Sequence, residues 1–551
     1  MPTFKSPLSR ILNLLKLEKN EITAIYFYAI LSGLIQLSLP LGVQSIISYV
    51  LGASMRATLV VLITLVVLGV LIAGIMQINQ MKIIEKIQQK IFVRYSFAFA
   101  SHIPALDLKK NDAVYLPELV NRFFDIPVLQ KSLSKILLEI PTAVIQILFG
   151  LILLSFYHPV FILFGITLVT VLLLILRFTG NKGIQTSLEK SKYKYMVAAW
   201  LEEMARVIRS VKLAKSNELH LRKADDQVSN YLDARNNHFK VLLFQFNVLV
   251  IFKTLITAAM LIVGTLLMVN QQLTVGQFIA AEIVILLVLN SVEKLIISLG
   301  SVYDTLTAVE KLAELTDKPT EQNGTIKLPA GGNGLKLEMK NIDFGYSDDK
   351  NILTDISLVI NPNEKVCIAG KDSSGKSTLL KLLTGSYTDV KGSILIDDIP
   401  VGNYQLDSIR AQTGVLLSQH DIFQGTLWEN IQLGNDDITM DNVKSLAGKV
   451  GLDDFIATLK QGYDAPLDAT GKRLPRNVVQ KILLVRALAG NPRLLLLEEP
   501  WMNFHDKHRT QIIQLLNELT NTTLVVVSND EAFAKQCDKK IILNENGSIN
   551  K

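Results

Sequence analysis

Residues Gly370–Thr378 read GKDSSGKST, and about 120 residues later Leu494–Pro500 read LLLLEEP. The first stretch fits the spacing G-x-x-x-x-G-K-[ST]. It follows an apolar run, Val366–Ala369, and leads into a helical run, Lys376–Leu383, that Gly385 stops. A strand feeding a glycine loop that opens a helix is the context in which this spacing binds phosphate, because loop amides and the helix N-terminus present N–H donors to an anion. Lys376 would then reach the β- and γ-phosphates of ATP, and the Ser377 hydroxyl would ligate Mg²⁺. Gly370, Lys371, Asp372, Ser373, Ser374, Gly375, Lys376, Ser377 and Thr378 are therefore the candidate nucleotide contacts. A chance Gly/Ser turn does not bring both flanking elements with it.

The 551 residues are too many for one core, and the 49 % of hydrophobic residues concentrate in the first 300. A membrane half followed by a soluble half is expected. The net charge of +6 comes mainly from segments between apolar runs, with no aromatic-interleaved basic patch, so nucleic acid is not an expected partner. Cys367 and Cys537 are the two cysteines. They do not make a secreted-type disulfide framework, which fits a reducing, cytosolic face, and Cys367 in its apolar strand reads as inert packing. The N-terminus, MPTFKSPLSRILNLLKLEKN, is basic and amphipathic without a small-residue cleavage site, so no cleaved signal peptide is expected.

Six apolar segments, roughly 21–48, 57–80, 136–157, 159–178, 243–269 and 277–300, are long enough to cross about 30 Å of hydrocarbon. The connections after the first, third and fifth carry almost no Lys or Arg. The other two are long and basic, with Lys82, Lys86, Lys90, Arg94, Lys109, Lys110, Arg122, Lys131 and Lys135 in one, and Arg206, Arg209, Lys212, Lys215, Arg222 and Lys223 among those in the other. Cationic loops stay on the cytoplasmic side, so both termini and the soluble half are expected there, below a multi-pass plasma (inner) membrane domain. The long loops continue in helical period, so helices are expected to project beyond the membrane. The run Asp317–Gly334 (DKPTEQNGTIKLPAGGNG) breaks the helical pattern, and an alternating strand begins at Leu335. The expected division is 1–318 for the membrane domain, 319–334 for a linker and 335–551 for the nucleotide-binding domain. Ionisable residues inside spans cost on the order of 2.5–3.5 kcal/mol each, which makes Glu139, Lys253 and Glu282 candidates for a transport path, with snorkelling at the interface the alternative for Lys253 and Glu139.

Six spans with two long cytosolic loops, then a nucleotide-binding domain, resemble a half-transporter of the ATP-binding cassette (ABC) exporter family over nearly the whole chain. The resemblance implies a six-helix transmembrane domain of ABC exporter type followed by an α/β P-loop NTPase domain, acting as a dimer with a second half-transporter, homodimeric or heterodimeric. It implies that Tyr346 stacks on adenine, that Gln419 in VLLSQHDIFQGTLWENI senses Mg²⁺, and that Glu498 and Glu499 hold the metal ion and activate water. ILNENGSI at the end of the chain also looks like the family. Within the family, Leu39–Leu41 (LPL) and Leu273–Ala280 (LTVGQFIA) are most similar to type I secretion and peptide exporters. A peptide or protein cargo is implied, with a periplasmic adaptor and an outer-membrane channel as further partners in a Gram-negative cell, besides membrane lipid. With about 20 residues ahead of the first span, the N-terminal cysteine peptidase of many such exporters is not expected.

The catalytic positions depart from the family pattern. Where an LSGGQ signature is expected the chain has Leu474–Val478, LPRNV. Pro475 removes a backbone donor, and Arg476 and Asn477 put side chains where a ligand needs close backbone approach. Arg476 is either a phosphate partner or an exposed loop arginine. Glu498 is one methylene longer than the family's aspartate at a metal that demands near-ideal octahedral geometry. His505 stands where the D-loop aspartate would be. Asn529 replaces the switch histidine and cannot carry its proton. Ser373 replaces a usual glycine. Expected, then, are an ATP pocket that binds and a hydrolytic apparatus, Glu499 with Gln419 and Asn529, that turns over slowly at most. The two function classes in view are an ATP-driven exporter and a non-hydrolysing, nucleotide-gated regulatory subunit; a lipid or drug exporter shares the fold.

Overall fold

The computed structural model describes residues 6–52, 56–214, 218–347, 350–417, 421–502 and 504–549. The chain divides into two compact units, one of residues 1–104 and 114–318, the other of residues 105–113 and 319–551.

The first unit is helical: α1 Pro7–Leu17, α2 Lys19–Gln36, α3 Ser38–Leu51, α4 Arg56–His102, α5 Leu116–Val120, α6 Asp125–Tyr157, α7 Val160–Arg206, α8 Ile208–Leu213, α9 Glu218–Val269 and α10 Val275–Thr316. Among the described residues, six stretches are long and apolar enough to cross a membrane, the first of them α2 and α3 taken together. The segment 21–48, expected as one helix, is two. Pro40 has no N–H to give Gln36, and the chain tightens at Leu37, whose amide donates to Leu34 O at 3.2 Å. The other helices run well past the apolar segments, as their continuing period required; α4 and α7 have 47 residues each and α9 has 52. Capping is explicit at α10, where Thr274 and Gln277 form a reciprocal capping box.

Leu154, Leu168, Leu249, Val284, Val288 and Leu289 of α6, α7, α9 and α10 form this unit's apolar core. The polar residues singled out from the sequence lie between helices. Ser298 Oγ donates to Glu139 Oε2 at 2.6 Å, and Lys253 Nζ to Glu293 Oε2 at 3.0 Å. Glu282 is half-buried. The sequence reading did not single out Gln36, Gln146 and Ser291, where Gln146 bonds Gln36 and accepts from Ser291 Oγ at 2.8 Å.

The second unit is α/β. In chain order it comprises β1 Leu337–Phe344, β2 Leu353–Ile360, β3 Lys365–Gly370, α11 Lys376–Leu383, β4 Lys391–Ile396, β5 Ile399–Pro400, α12 Leu406–Arg410, β6 Thr413–Leu416, β7 Gly425–Thr426, α13 Leu427–Gln432, α14 Met440–Val450, α15 Asp453–Thr458, β8 Pro466–Leu467, α16 Arg476–Ala489, β9 Leu494–Glu498, α17 Asp506–Asn517, β10 Thr523–Val527, α18 Glu531–Ala534 and β11 Lys539–Leu543. An antiparallel sheet orders its strands β2-β1-β4-β5 and a parallel sheet orders them β11-β3-β10-β9-β6. The parallel strands read as continuous apolar runs because both faces are covered. Val366 and Ile368 of β3 join the core that holds Leu379 and Leu383 of α11, while Cys367 joins the core that holds Ile482 and Leu484 of α16.

Two boundaries differ from the sequence expectation. Ala105–Ala113 group with the second unit: Leu106 bridges Thr320, and the Asp107 amide donates to Pro319 O at 3.0 Å. Residues 319–334, expected as a linker, are bonded into the same unit, with Ile326 N donating to Asn403 O at 3.0 Å and Leu328 N to Ser408 Oγ at 2.9 Å. Backbone pairing of this kind carries no hydrophobic period, which is why the Pro/Gly-rich run reads as unstructured.

Candidate nucleotide site

The loop Gly370–Thr378 joins the end of β3 to the start of α11. Gly375 caps the helix at φ 95°, a left-handed conformation that favours glycine. Ser373, by contrast, is a non-glycine residue at φ 64°. The family's glycine at this position answers a left-handed backbone, which an L-residue adopts at a cost of about 1–2 kcal/mol. The α11 N-terminus has no side-chain cap, leaving first-turn amides for a ligand. Lys376 folds over the loop, its Nζ donating to Gly370 O at 2.7 Å and Lys371 O at 2.6 Å. Lys371 pairs with Glu545 at the surface, and Asp372 is exposed. The Ser374 hydroxyl is buried without a hydrogen-bond partner among the described residues, as in a loop shaped for one more polar ligand.

Three further residues meet this loop, Tyr346, Glu498 and Asn529. Tyr346 OH lies 3.3 Å from Thr378 Oγ1, and Lys381 Nζ lies 5.7 Å from the centroid of the Tyr346 ring. Phe344 and Tyr387 hold that ring edge-on, with centroids 5.3 and 5.6 Å away. Ser377 Oγ donates to Glu498 Oε1 at the end of β9. That hydroxyl and carboxylate are oxygen ligands of the kind Mg²⁺ takes beside phosphate and water, so the pair fits the ion. Asn529 Oδ1 accepts from Gly370 N at 3.1 Å.

Glu499 follows β9 at φ 42°. Burial pushes its carboxyl above the usual carboxylate range, although Ser528 Oγ donates to Oε2 at 3.1 Å. Gln480 on α16 donates from Nε2 to Glu499 O at 3.1 Å. The sequence reading missed Gln480 and Ser528. A glutamine inside the apolar run VVQKILLV was the available signal for the first, since a buried amide needs a specific partner. Of the expected site residues, Gln419 lies outside the described residues.

The segment Leu474–Val478, expected at the signature position, lies at a helix start. Pro475 is the N-cap of α16, without a side-chain cap bond, and Leu474 N donates to Gly471 O at 2.9 Å. Arg476 is exposed, and Asn477 Oδ1 accepts its neighbour's amide, Val478 N, at 3.0 Å. His505 caps α17.

Two family models match, the ABC transporter transmembrane region over residues 22–292 and the ABC transporter domain over residues 353–502. The chain belongs to the ABC transporter family. It is a multi-pass membrane protein of half-transporter architecture, the membrane region fused to an ATP-binding domain. It resembles the ATP-dependent lipid A-core flippase of Saccharophagus degradans (32 % identical, covering 44 % of this chain and 42 % of that one) and a putative multidrug export ATP-binding/permease protein of Bacillus subtilis (31 %, 50 % and 48 %). It also resembles the leukotoxin export ATP-binding protein of Aggregatibacter actinomycetemcomitans (29 %, 50 % and 39 %). The chain thus matches about two fifths to half the length of these relatives. In fold it superimposes on a bacterial Atm1-family ABC exporter solved with ATP bound, with a TM-score of 0.84 at 19 % identity, over 97 % of this chain and 94 % of that one.

Proposed function

We propose that this chain is an ATP-coupled export subunit that works as a dimer with a second half-transporter. The observation that carries the reading is convergence on one loop: the Tyr346 hydroxyl, the Ser377–Glu498 pair and Asn529 all bond to Gly370–Thr378. Tyr346 offers a ring for adenine, and Gly370–Thr378 hold the phosphates. Lys376 exchanges its two carbonyl partners for phosphate oxygens. Ser377, Glu498 and Gln419 are the ligands for Mg²⁺, which when bound neutralises phosphate charge. Glu499, oriented by the Ser528 hydroxyl on Oε2, is the base that takes a proton from an attacking water. The basic loops favour a plasma-membrane (inner-membrane) orientation with the nucleotide-binding unit in the cytoplasm.

The hydrolytic site is incomplete in a homodimer. In this family each P-loop faces the signature segment of the other subunit, and here that segment is Leu474–Val478, capped by a proline with no N–H. Removing one preorganised donor typically slows a reaction about 100- to 1000-fold. A partner subunit with an intact signature, set against this chain's P-loop and Glu499, restores the missing donors. The test is ATPase activity of the purified chain in lipid, alone and after Pro475→Ser, Arg476→Gly, Asn477→Gly and Val478→Gln combined with Asn529→His. The native chain is expected to be slow and the repaired chain faster; robust turnover by the native chain, abolished by Glu499→Gln, refutes the incomplete-site reading.

For cargo we favour a polypeptide, passed in a Gram-negative cell to a periplasmic adaptor and an outer-membrane channel. The export-type stretches Leu39–Leu41 and Leu273–Ala280 and the leukotoxin exporter among the relatives support this. A lipid substrate is the second reading, favoured by the lipid A-core flippase relative. Proteoliposomes separate the two: ATP-dependent movement of a labelled lipid, with none of secreted polypeptide in cells lacking the gene, selects the lipid.

A further inference from the structure

Within its apolar segment α9 presents two open faces of different chemistry. Phe244, Ile251, Leu255, Ile262 and Leu266 recur at helical spacing and are all exposed, as a face against hydrocarbon needs. The adjoining face mixes Phe246 and Val250 with Asn247, Lys253, Thr254 and Thr257. On α10 the open face runs through Glu282, Leu286, Asn290, Glu293, Lys294 and Ile297. The two polar faces meet where Lys253 Nζ donates to Glu293 Oε2 at 3.0 Å.

The apolar segments 243–269 and 277–300 run antiparallel, so residues 243 and 300 mark the same side of the membrane. Counted from that side at 1.5 Å per residue, Lys253 and Asn290 lie about 15 Å deep and Glu293 about 10 Å, within about 30 Å of hydrocarbon. A lysine bonded there does not snorkel to the interface. Both partners of the ion pair are nonetheless open, with 38 % of the Lys253 side chain and 34 % of that of Glu293 exposed. The Asn290 amide is exposed and has no hydrogen-bond partner among the described residues. Against hydrocarbon, which replaces none of the lost water, an open ion pair and an unpaired amide are costly, and intramembrane charges accordingly face water-filled cavities.

We propose that the α9–α10 edge at Lys253, Asn290 and Glu293 lines a water-filled cargo path and binds a polypeptide segment that carries both charges. Lys253 pairs with a cargo carboxylate and Glu293 with a cargo ammonium or guanidinium. The Asn290 amide, donor and acceptor at once, meets the peptide backbone. Lys253 and Glu293 neutralise each other, so a cargo that supplies both signs exchanges partners with them and strands neither charge. An acyl chain gains nothing from such an edge. The cargo class rests on the export reading above; the water-filled edge does not.

The experiment uses the full chain in lipid nanodiscs and a membrane-impermeant trimethylammonium methanethiosulfonate, with modification read at each cysteine by peptide mass. Asn290→Cys is expected to react about a hundredfold faster than Leu255→Cys on the apolar face of α9, because only a hydrated thiolate attacks the reagent. The cargo probe is a soluble Gly/Ser peptide with alternating Lys and Glu; an uncharged Gly/Ser peptide and a short-chain phosphatidylcholine are the controls. The charged peptide alone is expected to slow the reaction at Asn290→Cys. Lys253→Met combined with Glu293→Gln removes both charges without stranding either, so it should fold, and it should bind that peptide about a hundredfold more weakly, as the loss of two charged hydrogen bonds requires. No reaction at Asn290→Cys, or equal reaction at both cysteines, overturns the water-filled edge. Reaction that the charged peptide does not slow, or that either control slows as well, overturns the cargo class, and a double variant that keeps its affinity overturns the role of the pair. A chain that holds the charged peptide and does not release it with ATP and Mg²⁺ refutes the export reading and leaves the site standing.

Discussion

Replacing Gln480 with glutamate keeps the side chain's shape and removes the N–H that reaches the backbone of Glu499. Gln480 is 6 % exposed, and its amide donates to Glu499 O at 3.1 Å, where the chain turns at φ 42°. A left-handed non-glycine residue costs about 1–2 kcal/mol and stays put only because its surroundings hold it. Gln480→Leu loses the bond and strands a carbonyl, which costs about 1–3 kcal/mol, offset in part by the extra apolar burial. Gln480→Glu sets an acceptor against an acceptor and is expected to cost more than Gln480→Leu. For a unit of about 150–250 residues each kcal/mol lowers the melting temperature by roughly 2–4 °C. Any turnover that uses Glu499 is expected to fall by a factor of roughly 5–30 for a loss of one to two kcal/mol in its positioning. The assay is thermal unfolding of the purified chain in lipid, with ATPase measured alongside in the signature-repaired background. The deficit in Gln480→Glu should shrink on acidification, because the introduced carboxyl once protonated has a donor again. A Gln480→Glu chain that melts with the wild type at neutral pH, or that is more stable than Gln480→Leu, refutes the reasoning.

Lys376→Ala is expected to abolish measurable binding of a fluorescent ATP analogue, and Tyr346→Ala to weaken it by on the order of 1 kcal/mol through lost stacking; unchanged affinity in the lysine variant is the contrary result. Ser373→Gly relieves the left-handed backbone at φ 64°, and after the extra entropy glycine brings to the unfolded chain it should stabilise by about 1 kcal/mol, read as a rise in melting temperature; a fall contradicts the strain. Burial raises the Glu499 carboxyl above the ordinary carboxylate range, and a base works only when deprotonated. The acid limb of the pH–rate profile, in a pairing that turns over at this P-loop, should therefore lie at higher pH than an exposed carboxylate would give, with activity lost as pH falls through it; a limb at the ordinary carboxylate value counts against Glu499 as base.

Much of the fold was legible because its causes are local or periodic. Apolar runs long enough for a bilayer marked six spans, and a glycine loop between a strand and a helix marked the P-loop, with α11 running from Lys376 to Leu383 as its pattern required. The split of the first span at Leu37 was legible in principle, since Pro40 stands in plain sight. The grouping of Ala105–Ala113 with the second unit was not, because a backbone bond such as Asp107 N to Pro319 O leaves no trace in side-chain order.

The sequence by itself determined the two-part architecture and the phosphate loop, because motif spacing and hydropathy act over neighbouring residues. Only the tertiary structure decided which distant residues share the site. Ser377 and Glu498 are about 120 residues apart and hydrogen-bonded; Gln480 of α16 and Ser528 just after β10 both reach Glu499. The physical reason is that strand order in the parallel sheet, β11-β3-β10-β9-β6, is set by burying both faces of the whole sheet at once, and no local stretch of sequence encodes which strand ends lie side by side.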